Sequence, residues 1–163
     1  MNVIKGGTVR LDRYDIRILQ ILQRRGRITK SALAEAINLS VSPCWERVKR
    51  LEQAGIIRGY GAVIDTGLLQ NRTSVLVEVS LGRHSAEAMR RFERAMQDCD
   101  KVTDCYATGG GVDYVLKVIC DDIDQYQRLI DHWLAADLGI ERYYTYIVTK
   151  TVKQQPLMPS LPE

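Results

Sequence analysis

The 163-residue sequence is poor in the residues that mark extracellular, metal-binding and membrane proteins. Its four cysteines form no Cys-x-x-Cys pair and its two histidines lie apart from them, which predicts reduced, mostly buried thiols, no zinc site and no cofactor. No stretch approaches the roughly 18 apolar residues of a membrane-spanning helix. Residues 1–7 lack the basic start and apolar stretch of a secretory signal. We therefore expect a cytoplasmic protein that has no membrane partner.

Recognisable catalytic sets are also missing from the sequence. It contains no Ser-His-acid set, no pair of carboxylates at a catalytic spacing and no cluster of metal ligands, so we expect no enzyme. The glycines Gly109, Gly110 and Gly111 are not followed by Gly-Lys-Ser/Thr, and a Gly-x-Gly-x-x-Gly frame fails at Tyr114. Nucleotide binding is therefore not expected.

The formal net charge of +3 is unevenly distributed along the chain. Up to Gly61 there are twelve Lys and Arg against five Asp and Glu, whereas from Ala62 onward there are eleven against fifteen. Such asymmetry points to nucleic acid or another anionic surface as the partner of the basic half. The alternative is that each half simply has a solvated charged face.

Apolar residues at intervals of three and four predict three short helices in the basic half. Asp12, Thr29 and Ser42 are suitable N-caps, and Pro43 fits the first position of the third helix because its missing N–H is harmless there. The helices are predicted to span 12–25, 30–37 and about 43–54.

Residues that favour tight turns separate these helices. Gly26 is predicted to end the first helix and Gly55 the third, while Asn38 tolerates the left-handed conformation of a turn after the second. The third helix should turn its basic residues outward, because its apolar residues share one face. That inward stripe consists of Cys44, Val48 and Leu51.

The acidic half alternates between strand and helix patterns. Period-two alternation predicts strands, as in Thr73–Leu81, and helical spacing predicts helices, as in Ser85–Cys99. The order is β-α-β-β-α-β, an α+β arrangement of ferredoxin-like type. The remaining elements are expected at 102–108, 113–120, 123–134 and 140–152.

Less regular segments connect and follow these regions. The β-prone stretch Ile56–Asp65 is broken by glycines, which predicts a linker containing a strand or ribbon, and Gly67–Asn71 reads as a turn. Gln154–Glu163 holds three of the four prolines and should be an irregular tail. The predicted regions are a helix-turn-helix domain at 1–56, a linker at 57–71, a βαββαβ ligand-binding and oligomerisation domain at 72–153 and a tail at 154–163.

Two helices joined by a tight turn, the second capped by serine and rich in basic residues, are typical of a helix-turn-helix. The recognition helix of this motif lies in the major groove of double-stranded DNA. Arg47 and Arg50 suit phosphate or guanine, whereas Trp45 and Glu46 are placed to touch base edges. The alternatives are that Trp45 packs against the neighbouring helix and that the bundle mediates protein contacts. The DNA-binding candidates are Ser42, Trp45, Glu46, Arg47, Lys49 and Arg50.

Linked motifs occur at 11–19 (Leu-Asp-Arg-Tyr-Asp-Ile-Arg-Ile-Leu), 26–29 (Gly-Arg-Ile-Thr), 33–37 (Leu-Ala-Glu-Ala-Ile), 39–40 (Leu-Ser) and 47–52 (Arg-Val-Lys-Arg-Leu-Glu). Together they resemble the leucine-responsive regulatory protein/AsnC (Lrp/AsnC) family of transcription regulators. The resemblance implies a winged or plain helix-turn-helix followed by a βαββαβ effector domain. It also implies homodimers that associate further into octamer-like rings, on palindromic DNA with half-sites about one helical turn apart. Glu46 departs from the basic or small polar residue of many members, and a carboxylate there either accepts from cytosine or repels phosphate.

The segment Gly110–Tyr114 looks like the family's Gly-x-x-Asp-Tyr loop, which helps to form a small-molecule pocket between subunits, usually for an amino acid. Glycine lets backbone N–H groups approach a carboxylate, and Asp113 is suited to hold an ammonium group. The alternative is a tight hairpin with Asp113 as a turn residue. By the same resemblance Thr145 and Tyr146 approach the pocket, although cross-strand pairing also explains them. The effector-binding candidates are Gly110, Gly111, Val112, Asp113, Tyr114, Thr145 and Tyr146.

Two features of the acidic half bear on the ligand and on assembly. Gly111 and Val112 replace the family's usual large or acidic residues, which predicts a roomier or altered pocket. Two helices can cover one face of the sheet, so a second subunit is expected to cover apolar residues on the other. We expect a homo-oligomeric regulator that binds double-stranded DNA and an amino-acid effector. The alternative is an amino-acid-binding or catalytic ferredoxin-like domain with a helical protein-contact module.

Overall fold

The computed structural model divides into two compact units, each with its own hydrophobic core. Among the described residues, the first unit contains 10–64, 154–155 and 159–160, and the second contains 72–153. Among the described residues, no helix is both long and apolar enough to cross a lipid bilayer. The structure describes residues 10–64, 72–155 and 159–160.

The first unit contains the three predicted helices. The Asp12 carboxylate caps the first by accepting from the N–H groups of Tyr14 and Asp15, and the Thr29 hydroxyl caps the second by accepting from the Ala32 N–H. Both N-caps were predicted from the sequence. The helices are α1 (Arg13–Arg24), α2 (Lys30–Ala36) and α3 (Val41–Gln53).

The ends of these helices also follow the predicted turn residues. Asn38 after α2 has a φ of 56° and Gly55 after α3 has a φ of 70°, the left-handed conformation that ends a helix. The first helix ends one residue earlier than predicted. Its C-cap is Arg25, whose N–H donates to the Ile21 carbonyl.

The predicted start of α3 is wrong by two residues. Its N-cap is Ser40 and not Ser42, and no side chain caps it. Ser42 and Pro43 therefore occupy the second and third helical positions. Proline costs no hydrogen bond there, because the first N–H groups of a helix have no acceptor within it. The first such bond runs from the Cys44 N–H to the Ser40 carbonyl, at 3.3 Å.

The predicted strand after α3 is not formed in the part that the structure describes. Residues 56–64 have no strand assignment, and the Val63 side chain is fully exposed. A β-prone segment becomes a strand only when a neighbouring strand pairs with its backbone, and no described strand does so here. Asp65 and the predicted turn Gly67–Asn71 lie outside the described residues.

The second unit is a four-stranded antiparallel sheet with two helices packed on one face. The chain order is β-α-β-β-α-β and the spatial order is β2-β3-β1-β4, which is the predicted ferredoxin-like arrangement. Ser85 is the N-cap of the first of its helices rather than its first residue. The elements are β1 (Thr73–Leu81), α4 (Ala86–Gln97), β2 (Val102–Ala107), β3 (Tyr114–Cys120), α5 (Ile123–Ala135) and β4 (Ile140–Ile147).

The last strand is five residues shorter than predicted. Its pairing with β1 ends at Val75 and Ile147, and the Val148 N–H still donates to the Ser74 carbonyl. Because β1 begins at Thr73, which lies opposite Thr149 in this register, residues beyond 149 have no β1 residue left to pair with. Backbone pairing, and not the β-prone composition of 148–152, therefore sets the end of β4.

The cysteines are free, and their burial differs from the prediction at one position. Cys44 and Cys120 are buried, and burial raises the pKa of both thiols. Cys99 is partly buried, whereas Cys105 is exposed. Cys105 lies on β2, which has a neighbouring strand on only one side.

Candidate DNA interface and effector region

The outward side of α3 carries three of the six DNA-binding candidates. Ser42, Glu46 and Lys49 follow one another at intervals of four and three residues, and all three are exposed. They lie on the helix face opposite the buried stripe of Cys44, Val48 and Leu51, whose members are at most 1% exposed. We call Ser42, Glu46 and Lys49 the outward stripe. It is the part of α3 that a DNA groove can accept without disturbing the core.

Two other candidates, Arg47 and Arg50, are held by carboxylates at the start of α1, the N-cap Asp12 and Asp15. Arg47 Nη1 lies 2.7 Å from Asp12 Oδ2 and 2.9 Å from Asp15 Oδ1, and Arg50 Nη2 lies 2.5 Å from Asp15 Oδ2. Asp15 is the one buried charged residue among those described. We call these four residues the arginine clamp. It fastens α3 to α1 through charge-assisted hydrogen bonds.

The arginine clamp favours the charged forms of Asp12 and Arg47. Burial opposes ionisation of Asp12, but the Asp15 N–H and Arg47 outweigh burial and hold the pKa of Asp12 below its usual value of 3.8. Burial likewise opposes the charge of Arg47, and its two carboxylate partners raise its pKa above the usual value. The stabilisation from Asp12 is therefore full above the unfolded-state pKa and is lost as the pH falls through the lowered folded-state pKa.

Trp45 faces the neighbouring helices rather than the outward stripe. It is partly buried and packs against the core of the first unit. The Lys30 Nζ lies 3.8 Å from the centroid of the indole ring, within range of a cation–π contact. This geometry favours the packing alternative for Trp45.

The glycine-containing loop joins β2 to β3, and Asp113 anchors it to β1. The Asp113 carboxylate accepts from the Leu81 N–H at 2.7 Å, and the His84 Nε2 lies 3.0 Å from the other carboxylate oxygen. The backbone also closes the loop, since the Thr108 N–H donates to the Asp113 carbonyl. Asp113 is therefore bonded across to another strand, which neither sequence-based alternative described. Among the described residues, no group of three or more His, Cys, Asp and Glu is placed to hold a metal ion.

The glycines of this loop are open to their surroundings. A Cβ added at Gly109, Gly110 or Gly111 would meet nothing within 4 Å, and their φ values are not positive. The backbone conformation therefore does not require glycine at these three positions. What glycine provides is access to the backbone N–H groups.

The other effector candidates do not converge on one surface. The Tyr114 ring is buried against Phe92, and its hydroxyl donates to Glu93 at 3.0 Å; burial and then this bond raise the pKa of Tyr114. The Thr145 hydroxyl bonds that of Tyr126 on α5, at 2.5 Å. Tyr146 lies on the opposite side of β4, where its hydroxyl donates to Glu78. Thr145 and Tyr146 thus face different sides of the sheet.

The side of the sheet away from the helices carries exposed aliphatic and aromatic side chains next to the charged residues Glu78 and Lys117. Along β1, Val75, Val77 and Val79 are buried under the helices, whereas Leu76 between them is 40% exposed. The strand registers place aromatic and aliphatic neighbours of Leu76 on the same side. We call this surface the open face; it consists of Leu76, Glu78, Tyr106, Val115, Lys117, Tyr144 and Tyr146.

Comparisons with known proteins cover both units. Residues 11–58 match a family model described as winged helix-turn-helix DNA-binding, and residues 74–158 match one described as the Lrp/AsnC ligand binding domain. The chain is 63% identical to the transcriptional regulatory protein DoeX of Halomonas elongata, over 90% of this chain and 92% of that protein. The chain belongs to the Lrp/AsnC family.

More distant members of the Lrp/AsnC family match along almost the whole chain. The leucine-responsive regulatory protein of Escherichia coli is 37% identical over 88% of each chain. The L-methionine complex of a transcriptional regulator from Neisseria meningitidis has a TM-score of 0.84 at 32% identity, covering 92% of this chain and 97% of that one. This Lrp/AsnC protein is therefore a transcriptional regulator with a DNA-binding helix-turn-helix and a ligand-binding domain, as the sequence predicted.

Sequence reasoning missed two residues that organise these regions of the Lrp/AsnC chain. Asp15 was not singled out, although an acidic residue three positions after the N-cap Asp12 is the signal of a capping box, and its carboxylate does accept from the Asp12 N–H at 3.0 Å. His84, whose side chain contacts Asp113, was missed because no sequence pattern points to it. It lies 29 residues from Asp113 in the chain, so only the pairing of the strands brings the two together.

Proposed function

We propose that this Lrp/AsnC regulator reads double-stranded DNA with the outward stripe of α3. The single observation that supports this proposal most is the exposure of Ser42, Glu46 and Lys49 on the helix face opposite the core. Lys49 supplies a cation for phosphate or guanine, and Glu46 supplies an acceptor for cytosine N4. Arg47 and Arg50 orient α3 through the arginine clamp. We assign DNA binding to residues 1–56 and ligand binding to residues 72–153.

The proposed effector is an amino acid bound at the loop between β2 and β3. The Neisseria meningitidis neighbour is a complex with L-methionine, and the Escherichia coli relative is a leucine-responsive protein. The open backbone at Gly110 and Gly111, followed by Val112, offers N–H donors suited to a carboxylate. Asp113 holds this loop against β1, so its contribution is to the shape of the site.

The proposed assembly is a homodimer whose subunits cover each other's open face. Leu76, Tyr106, Tyr144 and Tyr146 are each at least 40% exposed there, and aromatic side chains are enriched in protein interfaces. Two-fold symmetry of a dimer matches a palindromic DNA site. Dimers are proposed to associate further, up to an octamer. The effector then changes DNA affinity through its different affinity for alternative assemblies, a coupling of typically ~1–3 kcal/mol.

We further propose that the chain acts as a regulator and not as an enzyme, and that it does so in the cytoplasm. The support comes from its relatives, which are transcriptional regulators, and from the helix-turn-helix model that matches residues 11–58.

The experiment that tests the proposed function is fluorescence anisotropy of the purified protein on duplex DNA from its own upstream region. It is run with and without a panel of amino acids, at several salt concentrations. We expect DNA binding to weaken steeply as the salt concentration rises, because counterions are released at each phosphate contact. We also expect one amino acid of the panel to shift the DNA affinity. Binding that no amino acid shifts would contradict the effector proposal. Absence of DNA binding would instead favour a helical protein-contact module.

Replacing Lys49 by alanine is expected to weaken DNA binding and to reduce the slope of log affinity against log salt by about 0.9, the value for one phosphate contact. If Lys49 contacts guanine instead, the loss is confined to the specific sequence and amounts to ~1–3 kcal/mol. Anisotropy titrations on specific and random duplexes distinguish the two. Lys150→Ala, an exposed lysine of the second unit, is the matched control. Unchanged affinity for both duplexes would show that α3 is not the DNA-reading helix.

Two variants of Asp113 separate an anchoring role from direct contact with the effector. Asp113→Ala removes the acceptor of the Leu81 N–H and is expected to abolish the amino-acid response while basal DNA binding persists. Asp113→Asn keeps an acceptor for that N–H but loses the negative charge, so the response should survive. Effector titrations by anisotropy measure both. Loss of the response in Asp113→Asn would mean that the charge itself holds the effector's ammonium group.

A further inference from the structure

The two arginines of the arginine clamp occupy a flank of α3, between its buried stripe and its outward stripe. Arg47 and Arg50 are 26% and 48% exposed, so both reach the surface of the first unit. Their charges are balanced in place by two carboxylates, because Asp12 and Asp15 lie within 2.9 Å of them. Two of the twelve cations in the basic half are therefore neutralised beside the DNA-reading side of the helix.

Release of either arginine to a phosphate would be unfavourable because of where Asp15 lies. Its side chain is fully buried and accepts from both guanidinium groups and from the Asp12 N–H. A buried carboxylate that loses a cationic partner bears a large desolvation penalty. A phosphate contact at the solvent-exposed surface gains less, since water and salt screen it. Because the desolvation penalty exceeds the gain from a phosphate contact, Arg50 stays paired with Asp15.

We propose that Asp15 is a specificity-determining residue, which withholds Arg50, and with Asp12 also Arg47, from DNA phosphates. Non-specific affinity is supplied almost entirely by contacts between cations and phosphates, whereas base contacts supply discrimination. Withholding two arginines from phosphates lowers affinity most for random sequences, where phosphate contacts supply nearly all of the affinity and α3 is free to shift until an arginine meets a phosphate. On a specific site the base contacts of the outward stripe fix the position of α3, so that affinity depends less on these arginines. The ratio of specific to non-specific affinity rises as a result.

Asp15→Asn tests this inference because asparagine has nearly the same shape but carries no charge to balance Arg50. Arg50 has no clamp partner besides Asp15, whereas Arg47 also holds Asp12. We expect Asp15→Asn to bind random-sequence duplex more tightly and to steepen its salt slope by about 0.9, equivalent to roughly threefold between 50 and 200 mM salt. Affinity for the upstream duplex should rise less, so that the specificity ratio falls.

A second substitution shows whether Arg50 causes the change. Arg50→Gln alone is expected to leave the salt slope unchanged, because the wild-type arginine does not contact phosphate. Combined with Asp15→Asn, it should cancel the steeper slope. Glu35→Gln, at an exposed carboxylate of α2, controls for the change in net charge and should reproduce neither effect. Circular dichroism confirms that each variant is folded.

Three results would overturn the inference. The first is a random-duplex affinity of Asp15→Asn that is unchanged or weaker, as a purely structural role predicts. The second is an Arg50→Gln slope that falls by about 0.9, which would mean that Arg50 already contacts phosphate. The third is an equal gain in Glu35→Gln. If Asp15→Asn does not fold, the inference is tested by the salt slope of Arg50→Gln alone. Failure of α3 as the DNA-reading helix is recognised separately, by wild-type affinity of Lys49→Ala.

Discussion

Leu76→Asp is expected to dissociate the subunits of the assembly and, as a result, to weaken DNA binding. Leu76 lies on β1, one of the two inner strands of the sheet, and its pairing neighbours on the open face are Tyr146 and Lys117. An aspartate at the centre of a covered interface would be buried without a partner, at a cost of about 3 kcal/mol or more, which corresponds to over 100-fold in subunit dissociation. A monomer that engages one half of a palindromic site binds far more weakly than a dimer.

The same variant should leave the second unit folded. Leu76 is 40% exposed in the isolated chain, so the charged side chain can remain in water. Leu134→Asp is the matched control, since Leu134 on α5 is 44% exposed and lies away from the open face. Mass photometry and anisotropy on the upstream duplex measure assembly and affinity. A wild-type particle mass for Leu76→Asp would show that another surface joins the subunits.

Phe92→Ala is expected to destabilise the second unit by ~3–5 kcal/mol, the range for truncating a fully buried phenylalanine. Phe92 lies on α4 with no exposed area, and its ring centroid is 4.6 Å from that of Tyr114. The truncation leaves a cavity beside Tyr114, whose neighbour Asp113 anchors the effector loop. The effector response should therefore be lost under conditions in which the first unit stays folded.

The chain offers a separate reporter for each unit in this experiment. Trp45 lies in the first unit and the buried Trp133 in the second, and these are the two tryptophans of the sequence. In a Trp45→Phe background, denaturant-induced unfolding followed by tryptophan fluorescence reports the second unit alone. Phe92→Leu fills most of the cavity and should recover most of the stability. A loss below about 1 kcal/mol for Phe92→Ala would mean that the core around Tyr114 collapses to fill the space.

Helices and strands were predictable where their signals are local. The alternation at Thr73–Leu81 predicted β1 with both bounds correct, and the caps Asp12 and Thr29 were recognised from the residues that follow them. Local signals failed where two positions satisfy the same rule. The sequence predicted Ser42 as the N-cap of α3, but proline is acceptable at each of the first helical positions, so Ser40 takes that role with Pro43 two positions further into the helix.

Elements whose limits depend on a partner were the least predictable. The β-prone residues after Ile147 and those at 56–64 form no strand, because strand formation needs a neighbour that pairs with the backbone. The placement of two effector candidates, in contrast, follows from a local rule. A strand alternates its side chains, so Thr145 and Tyr146 had to face opposite sides whatever the ligand, and this could have been deduced beforehand.

The sequence by itself determined the order of elements, the division into a basic and an acidic half, and the membership of the Lrp/AsnC family, because periodicity, charge and motif spacing are properties of neighbouring residues. Only the tertiary structure decided which basic residues of α3 are available to DNA. Arg47 and Arg50 read from the sequence as DNA contacts, yet their partner Asp15 lies 32 and 35 residues earlier in the chain. No local pattern reports a charge pair across that distance, since the packing of α3 on α1 creates it.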